Sequence, residues 1–285
     1  MKTPKRIQPL IDDGLVDEVV SRLMSGKEAD VFIVLCGGEY RCAKVYKEVH
    51  QRSFKKAVTY QEGRKSRNSR RARAMEKKSK FGQQEQEAAW QTHEVDALFK
   101  VANAGVRVPK AYGCFDGVLL MEIITDANGD VAPRLNDVTL TEQQALEDHH
   151  QVMIDVMKML TVGTIHGDLS EFNILLDEYG PVIIDMPQAV DASANNNAKK
   201  MLKRDVQNVT NYYAQYAPQL LETNYAEEMW ALYEIGELTA ETELTGKFET
   251  DNEEADVDSV IHEIQAAIQE EEERLARIAL ADSDG

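Results

Sequence analysis

Apolar and polar residues along the first half of the chain predict mostly β-structure. Residues 31–35 and 40–46 are short apolar runs joined by Gly37-Gly38, a pattern typical of a β-hairpin. A continuous apolar run at 118–124 predicts a further strand. Residues 15–24 instead carry apolar positions at helical spacing, so we expect a helix there.

The rest of the chain has mainly helical periodicity. Residues 83–101 and 141–162 carry apolar side chains three and four positions apart, and Thr141 can cap the second of these helices. The pattern is helical again from residue 198 onwards. A strand-rich part followed by a helical part predicts an α+β fold with two lobes that share a cleft.

Two shorter features refine this organisation. Short strands are expected at 174–176 and 182–184, and a polar segment at 123–130 separates the two lobes. We therefore expect four parts: an N-terminal segment (1–14), a strand-rich N-lobe (15–124), a helical C-lobe (125–221) and an acidic helical C-terminal extension (222–285).

Charge is distributed unevenly along the chain. The net charge is −18, but residues 222–285 alone hold 20 acidic side chains against three basic ones. The preceding part is nearly neutral, with 30 acidic and 29 basic side chains. Within it, residues 50–80 hold 12 Lys and Arg against two Glu and have no apolar periodicity, which predicts a mobile basic loop.

The basic loop has three interpretations that the sequence leaves open. It is a solvated insertion, or it contacts ribosomal RNA or a ribosomal subunit, because clustered cations release counterions from phosphates. The third interpretation is internal: the acidic tail, which can form an amphipathic helix over 258–280, folds over the loop.

Several classes of protein are disfavoured by composition. The three cysteines include no C-x-x-C pair, which argues against a disulfide framework and a conventional zinc site. No apolar run approaches the roughly 20 residues of a membrane-spanning helix, and the N-terminus lacks a secretory signal. We expect a cytoplasmic protein without a membrane partner.

The most informative stretch is His166-Gly-Asp-Leu-Ser-Glu-Phe-Asn173, followed by a strand that ends at Asp185. Phosphoryl transfer needs a carboxylate to orient the attacking oxygen and oxygen ligands to hold Mg²⁺ against the nucleotide phosphates. Asp168 suits the first role, whereas Asn173 and Asp185 suit the second. This spacing predicts a phosphotransferase.

The N-terminal part is expected to supply a cation and a phosphate cover. Lys44 lies on a predicted strand between apolar residues, where its charge needs a partner, and Glu94 on the following helix can provide one. Ser25, Gly26 and Lys27 lie in a turn before a strand, where backbone amides can face phosphates.

Taken together, these motifs resemble those of the RIO family of atypical serine/threonine protein kinases, closest to its type-one branch. The resemblance covers roughly residues 10–215, whereas the acidic tail has no counterpart in the family core. Its specific pieces are Ser25-Gly-Lys-Glu-Ala-Asp-Val-Phe32, Ala43-Lys-Val-Tyr-Lys47, Trp90-Gln-Thr-His-Glu94, Leu119-Leu-Met-Glu-Ile123, Ala132-Pro-Arg-Leu135, His166-Gly-Asp-Leu-Ser-Glu-Phe-Asn173 and Ile183-Ile-Asp-Met-Pro-Gln-Ala-Val190.

The resemblance implies a bilobal kinase-like fold without a long activation loop, and a use of ATP with Mg²⁺ or alternatively Mn²⁺. It implies that Lys44, held by Glu94, binds the α- and β-phosphates. The turn at Ser25, Gly26 and Lys27 would cover the nucleotide. The residues whose backbone would meet the adenine are Met121, Glu122 and Ile124.

For the chemistry, the resemblance implies that Asp168 is the catalytic base and that Asn173 and Asp185 are metal ligands. In some family members the aspartate that matches Asp185 accepts the phosphoryl group, so ATP hydrolysis is a second expected output.

Three functions remain open on the sequence alone. The first is a serine/threonine kinase or ATPase, which can autophosphorylate and whose protein substrate the sequence does not identify. The second is a nucleotide-gated factor for ribosome or RNA assembly with mainly ATPase activity. The third is a small-molecule phosphotransferase of the aminoglycoside or choline kinase kind, which uses a similar H-G-D-x-x-x-x-N loop.

Overall fold

The computed structural model describes residues 3–26, 28–47 and 93–248, which belong to one compact unit. The predictions for the basic loop at 50–80, for the start of the helix at 83–101 and for the tail helix at 258–280 lie outside the described residues, as does Lys27. None of the described helices is both long and apolar enough to cross a membrane.

The N-terminal part is built on a five-stranded antiparallel sheet. The predicted hairpin and the strand near residue 118 are confirmed. Gly37 and Gly38 have φ of 60° and 85°, a left-handed conformation that favours glycine in a tight turn. The strands are β1 (Glu18–Ser25), β2 (Ala29–Cys36), β3 (Glu39–Tyr46), β4 (Ala111–Phe115) and β5 (Val118–Glu122). Their order across the sheet is β1-β2-β3-β5-β4.

The predicted helix at 15–24 is wrong, because most of this segment forms the edge strand β1. The β1–β2 register shifts between Val19 and Ser21 and again between Arg22 and Met24. Each irregularity interrupts the two-residue alternation of a strand. Apolar residues consequently fall three and four positions apart, which imitates helical spacing.

The two faces of the sheet pack against different parts of the chain. One face is covered by helix α1 (Gln8–Asp12) and its flanks, through the buried side chains of Ile7 and Leu10. Helix α2, whose described part spans 93–103, packs into the other core cluster. Because alternate residues of a strand share a face, Lys44 and Tyr46 project together on the side opposite Ala43.

The C-terminal part is mainly helical. Its first long helix has the predicted cap at Thr141, with a complete capping box in which Gln144 is the reciprocal partner. The helices are α3 (Glu142–Thr161), α4 (Ala198–Tyr213) and α5 (Tyr225–Glu234). The short strands are β6 (Thr164–Ile165), β7 (Ile174–Asp177), β8 (Gly180–Ile183) and β9 (Val190–Asp191), of which the β7–β8 hairpin was predicted.

The chain beyond residue 222 continues into this helical core. Met229 and Trp230 are buried in the same cluster as α3 and α4. Glu228 accepts hydrogen bonds from the backbone N–H groups of Thr245 and Gly246 at 2.9 and 2.8 Å. Residues 222–248 therefore pack as part of the compact unit, which ends at Phe248.

Candidate active site

Three charged residues predicted to act together lie in direct contact between the sheet and the helical part. Lys44 on β3 is 7% exposed, and its Nζ donates to Glu94 Oε1 on α2 at 2.6 Å. The same Nζ also donates to Asp185 Oδ1. Asp185 follows β8 and its side chain is 44% exposed, so the ammonium group joins a buried carboxylate to one that faces solvent.

Glu94 has a second partner, Tyr46, that was not among the predicted site residues. The hydroxyl of Tyr46, a residue only 5% exposed, donates to Glu94 Oε2. Both carboxylate oxygens are therefore used, one by Lys44 and one by Tyr46. The sequence feature that could have indicated this contact is the two-residue spacing of Lys44 and Tyr46, which places both side chains on one face of a strand.

Mutual attraction within this network outweighs the cost of burial. Burial alone would lower the pKa of Lys44, but the carboxylates of Asp185 and Glu94 raise it above its ordinary value. Partial burial would raise the pKa of Asp185, but Lys44 and, to a smaller extent, His166 hold it below its ordinary value. The Lys44 ammonium and the Asp185 carboxylate are therefore charged at neutral pH.

The loop that contains Asp168 and Asn173 is closed by its own side chains. Asn173 Nδ2 donates to the backbone carbonyl of Asp168 at 2.9 Å. The Asp168 side chain is exposed, and its Oδ2 accepts from Gln188 Nε2 at 3.0 Å. Gln188 follows Asp185 by three residues and was not among the predicted site residues. It links the two segments that carry the candidate chemistry.

Backbone contacts attach this loop to Asp185. The Ile184 N–H donates to the Asn173 carbonyl at 3.0 Å, and His166 Nε2 lies 3.0 Å from the Ile184 carbonyl oxygen. Asp185 itself has φ of 71°, a left-handed conformation that is uncommon for a residue other than glycine. Such conformations cluster at functional sites, where the surrounding structure enforces them.

A buried aspartate on α4 supports the loop from below. Asp205 is 1% exposed and accepts from the backbone N–H groups of Gly167 at 2.6 Å and Leu169 at 3.3 Å. Arg204 donates to the Gly167 carbonyl. Burial raises the pKa of Asp205 to about 6, although nearby His166 opposes the shift. Asp205 lies in the region from residue 198 onwards that was predicted to be helical, but it was not among the predicted site residues.

The turn predicted to cover phosphates is a tight connection between β1 and β2. Its ends are joined by a hydrogen bond of 2.9 Å from the Gly26 N–H to the Ala29 carbonyl. Ser25 Oγ donates to Asp30 Oδ1 at 2.6 Å, and Lys47 Nζ donates to the Gly26 carbonyl at 2.5 Å. These bonds fix Ser25 and Gly26.

The segment predicted to meet adenine lies at the end of β5. Met121 pairs with Cys42 on β3, two positions along the strand from Lys44. Two backbone groups of the segment from Met121 to Ile124 are already hydrogen-bonded within the protein. The Glu122 N–H donates to the Lys110 carbonyl at 2.8 Å, and the Ile124 carbonyl accepts from Ala132 at 2.9 Å.

The oxygen atoms in this region fit Mg²⁺ better than a transition metal. Asp185 offers a carboxylate oxygen, and Asn173 offers a carboxamide oxygen. The backbone of Asn173 is hydrogen-bonded to Ile184, the residue that precedes Asp185. Across residues 3–26, 28–47 and 93–248, no group of three or more His, Cys, Asp or Glu side chains could hold a metal ion. Mg²⁺ usually takes one or two protein carboxylates and completes its shell with phosphates and water, which such a sparse set permits.

The chain matches the model of the RIO domain over residues 30–226. It is 32% identical over 209 residues to the RIO-type serine/threonine-protein kinase Rio1 of Haloferax volcanii, covering 73% of this chain and 67% of that protein. It is 27% identical over 219 residues to the serine/threonine-protein kinase RIO1 of Chaetomium thermophilum. That match covers 72% of this chain but only 41% of the fungal protein.

A solved structure shares the fold. The crystal structure of the Rio2 kinase-ADP/Mg²⁺-phosphoaspartate complex from Chaetomium thermophilum aligns with a TM-score of 0.53 and 20% identity. The alignment covers 74% of this chain and 59% of the other. The α+β, protein-kinase-like fold expected from the sequence is therefore confirmed. The chain belongs to the RIO family of serine/threonine-protein kinases.

Proposed function

We propose that this site transfers the γ-phosphoryl group of ATP, in the presence of Mg²⁺, to a serine or threonine hydroxyl of a protein or to water. The observation that carries the proposal is the Lys44 ammonium, which is buried and bonded to both Glu94 and Asp185. A cation held this way is positioned for phosphate. The carboxylate that shares it supports the assignment of Asp185 to the metal that accompanies phosphate.

In this proposal Lys44 binds the α- and β-phosphates, and Glu94 keeps its ammonium group in place. Asp185 and Asn173 hold Mg²⁺, with Mn²⁺ as an alternative ion. When bound, the metal neutralises charge on the phosphate oxygens. The turn that contains Ser25, Gly26 and Lys27 is assigned as the cover of the phosphates, and the hydrogen bonds that fix Ser25 and Gly26 support this assignment.

The adenine contacts are proposed for the segment that contains Met121, Glu122 and Ile124. The Glu122 N–H and the Ile124 carbonyl are engaged within the protein. The remaining backbone N–H and carbonyl groups of these three residues are therefore proposed to contact the adenine ring.

Asp168 is proposed as the catalytic base. Its carboxylate accepts the proton of the acceptor hydroxyl as that oxygen bonds to the γ-phosphorus, while the bond from phosphorus to the bridging oxygen breaks and ADP leaves. Gln188 and the Asn173 amide, which contact the side chain and the backbone of Asp168, position this carboxylate.

A second activity, ATP hydrolysis through a phosphorylated Asp185, is proposed from the exposure of this carboxylate. Its carboxylate is nearly half exposed although it is bonded to Lys44, so one oxygen can act as a nucleophile toward phosphorus. The related Rio2 structure carries a phosphoaspartate. Hydrolysis of such an acyl phosphate would make the protein an ATPase. That activity would suit a nucleotide-gated assembly factor whose basic segment at 50–80 contacts ribosomal RNA.

The test compares single-site variants of the full chain in ATP binding and in phosphoryl transfer from radiolabelled ATP. We expect Asp168→Ala to lower kcat by about 10²–10⁴, the usual contribution of a general base, with little change in ATP affinity. Glu171→Ala is the matched control, because it removes a carboxylate from the same loop. An equal loss of ATP affinity in Asp168→Ala would assign Asp168 to binding instead.

In the same experiment Asp185→Ala tests the metal assignment. We expect this variant to lose the part of ATP affinity that depends on Mg²⁺ and to retain the part measured in EDTA. An unchanged Mg²⁺ requirement would show that Asp185 does not hold the metal.

A further inference from the structure

Arg134 lies at the cleft on a backbone that is fixed to the β7–β8 hairpin. It forms a β-bridge with Leu175, and the Leu176 N–H donates to the Pro133 carbonyl at 2.9 Å. The next residue, Leu135, is fully buried. Because β7 begins immediately after Asn173, the backbone of Arg134 has a defined position relative to the candidate metal ligands.

The side chain of Arg134 crosses toward the sheet but finds only a weak partner there. Its Nη2 donates to Met24 Sδ at 2.9 Å, and a thioether is a poor hydrogen-bond acceptor. Met24 directly precedes Ser25, at the start of the turn proposed to cover phosphates. The guanidinium therefore extends from the helical part to the edge of this turn.

Among the described residues, no carboxylate forms an ion pair with Arg134, in contrast to other arginines nearby. Arg22 pairs with Asp30 at 2.6 Å, and Arg107 pairs with Asp177 at 2.6 Å. An arginine held near a candidate active site with a sulfur atom as its acceptor has its five N–H donors largely available for an anion.

Arg134 and Lys44 belong to different parts of the chain. Lys44 lies on β3 of the sheet, whereas Arg134 lies on the segment beside β7.

We propose that Arg134 is a second phosphate-binding residue, whose guanidinium exchanges Met24 Sδ for the β- and γ-phosphate oxygens of ATP. This inference rests on the proposed function, because it requires that ATP occupies the cleft. Arginine suits the role, since its planar fork binds phosphate in a bidentate manner and is always charged. Its contact with Met24 indicates that it can link the helical part to the phosphate cover.

The experiment measures equilibrium binding of ATP and of adenosine to the full chain, in EDTA and in Mg²⁺, by calorimetry or by displacement of a fluorescent ATP analogue. For Arg134→Ala we expect the Kd of ATP to rise by about tenfold to a hundredfold, as for a lost charge-assisted hydrogen bond, and the Kd of adenosine to stay within about twofold. Arg134→Lys keeps the positive charge but not the planar guanidinium, so its Kd of ATP should rise less than that of Arg134→Ala.

Two controls separate charge and cleft structure from phosphate contact. Lys200→Ala removes one exposed positive charge from α4, and Met24→Leu removes the sulfur acceptor but keeps an apolar side chain of similar size. Both should keep the Kd of ATP within about twofold. An Arg134→Ala variant with unchanged ATP affinity would overturn the proposal, and so would an equal loss of adenosine affinity or an equal loss in Met24→Leu.

Lys44→Ala, measured in parallel, distinguishes this inference from the proposed function. If Lys44→Ala weakens ATP binding and Arg134→Ala does not, only the role of Arg134 is wrong. If neither variant changes the Kd of ATP, the assignment of the cleft as the nucleotide site is wrong as well.

Discussion

Replacing Tyr46 with phenylalanine removes one oxygen atom from the buried part of the site and leaves the ring in place. In the structure that hydroxyl donates to Glu94 Oε2, while Lys44 donates to Oε1 at 2.6 Å. Burial and the Glu94 charge raise the pKa of Tyr46 far above its ordinary value, so the hydroxyl keeps its proton. The substitution therefore deletes a single donor to a carboxylate.

The expected loss of stability in Tyr46→Phe follows from the burial of both Tyr46 and Glu94. Glu94 is 1% exposed and Tyr46 is 5% exposed, so water cannot easily replace the lost donor. A hydrogen bond to a charged group contributes about 1.5–3 kcal/mol, and an unsatisfied buried acceptor has a similar cost. We expect Tyr46→Phe to lower the free energy of unfolding by about 2 kcal/mol, or Tm by about 4–8 °C.

Nucleotide binding should respond differently from stability. The Lys44–Glu94 contact uses the other carboxylate oxygen, so we expect the Kd of ATP to change by less than about threefold. Urea and thermal unfolding measure the first quantity, and calorimetric titration with ATP measures the second. Tyr40→Phe is the matched control, because Tyr40 lies on the same strand but is 61% exposed.

A structural role for the Tyr46 hydroxyl is excluded if the unfolding free energy of Tyr46→Phe lies within about 0.5 kcal/mol of the values for the wild type and for Tyr40→Phe, which is the range of ordinary surface substitutions. A double-mutant cycle with Glu94→Gln adds a direct test of the pair. The two substitutions should be non-additive by at least about 0.5 kcal/mol, because they remove the same hydrogen bond.

Two further predictions concern the support of the loop and the charged segments. Burial raises the pKa of Asp205 to about 6, above the ordinary 3.8, so its proton stabilises the fold at low pH and that contribution is lost as pH rises through about 6. The difference in unfolding free energy between wild type and Asp205→Asn should therefore change by about 2 kcal/mol between about pH 4.5 and 7.5, and a constant difference would contradict the assigned pKa. Truncation after Phe248 removes 13 acidic and two basic side chains but retains the packed segment 222–248, so the unfolding transition should be unchanged. If the tail screens the basic segment, the truncated protein should bind RNA more tightly and with a steeper salt dependence, whereas equal affinity and slope in filter binding would exclude screening.

The local sequence pattern was sufficient to predict those structural features that depend only on residues close together in the chain. Thr141 and Gln144 form a capping box because three residues separate them on a helix, and Gly37-Gly38 form a turn because glycine tolerates positive φ. The closure of the loop between Asp168 and Asn173 likewise depends on a spacing of five residues. Such features follow from the sequence because the chain geometry between the partners is short and stereotyped.

The edge strand β1 shows where local pattern fails. Its apolar spacing imitates a helix because two register shifts interrupt the alternation of a strand. Only pairing with β2 determines that this segment is extended. β4 was also missed: it contains Gly113, at which its register with β5 shifts, and such a residue weakens the strand signal.

The sequence by itself determined the hairpins, the capped helix, the uneven charge and the chemical types of the candidate residues, including the pairing of Lys44 with Glu94. Tertiary structure decided which other side chains complete the site. Tyr46 reaches Glu94, Asp205 holds the backbone of Gly167, and Arg134 meets Met24 across the cleft. These partners are 38 to 110 residues apart, so no local periodicity relates them. They meet only because elements that are far apart in the sequence pack together, and at Glu94 and Asp205 this packing buries polar groups that then require partners.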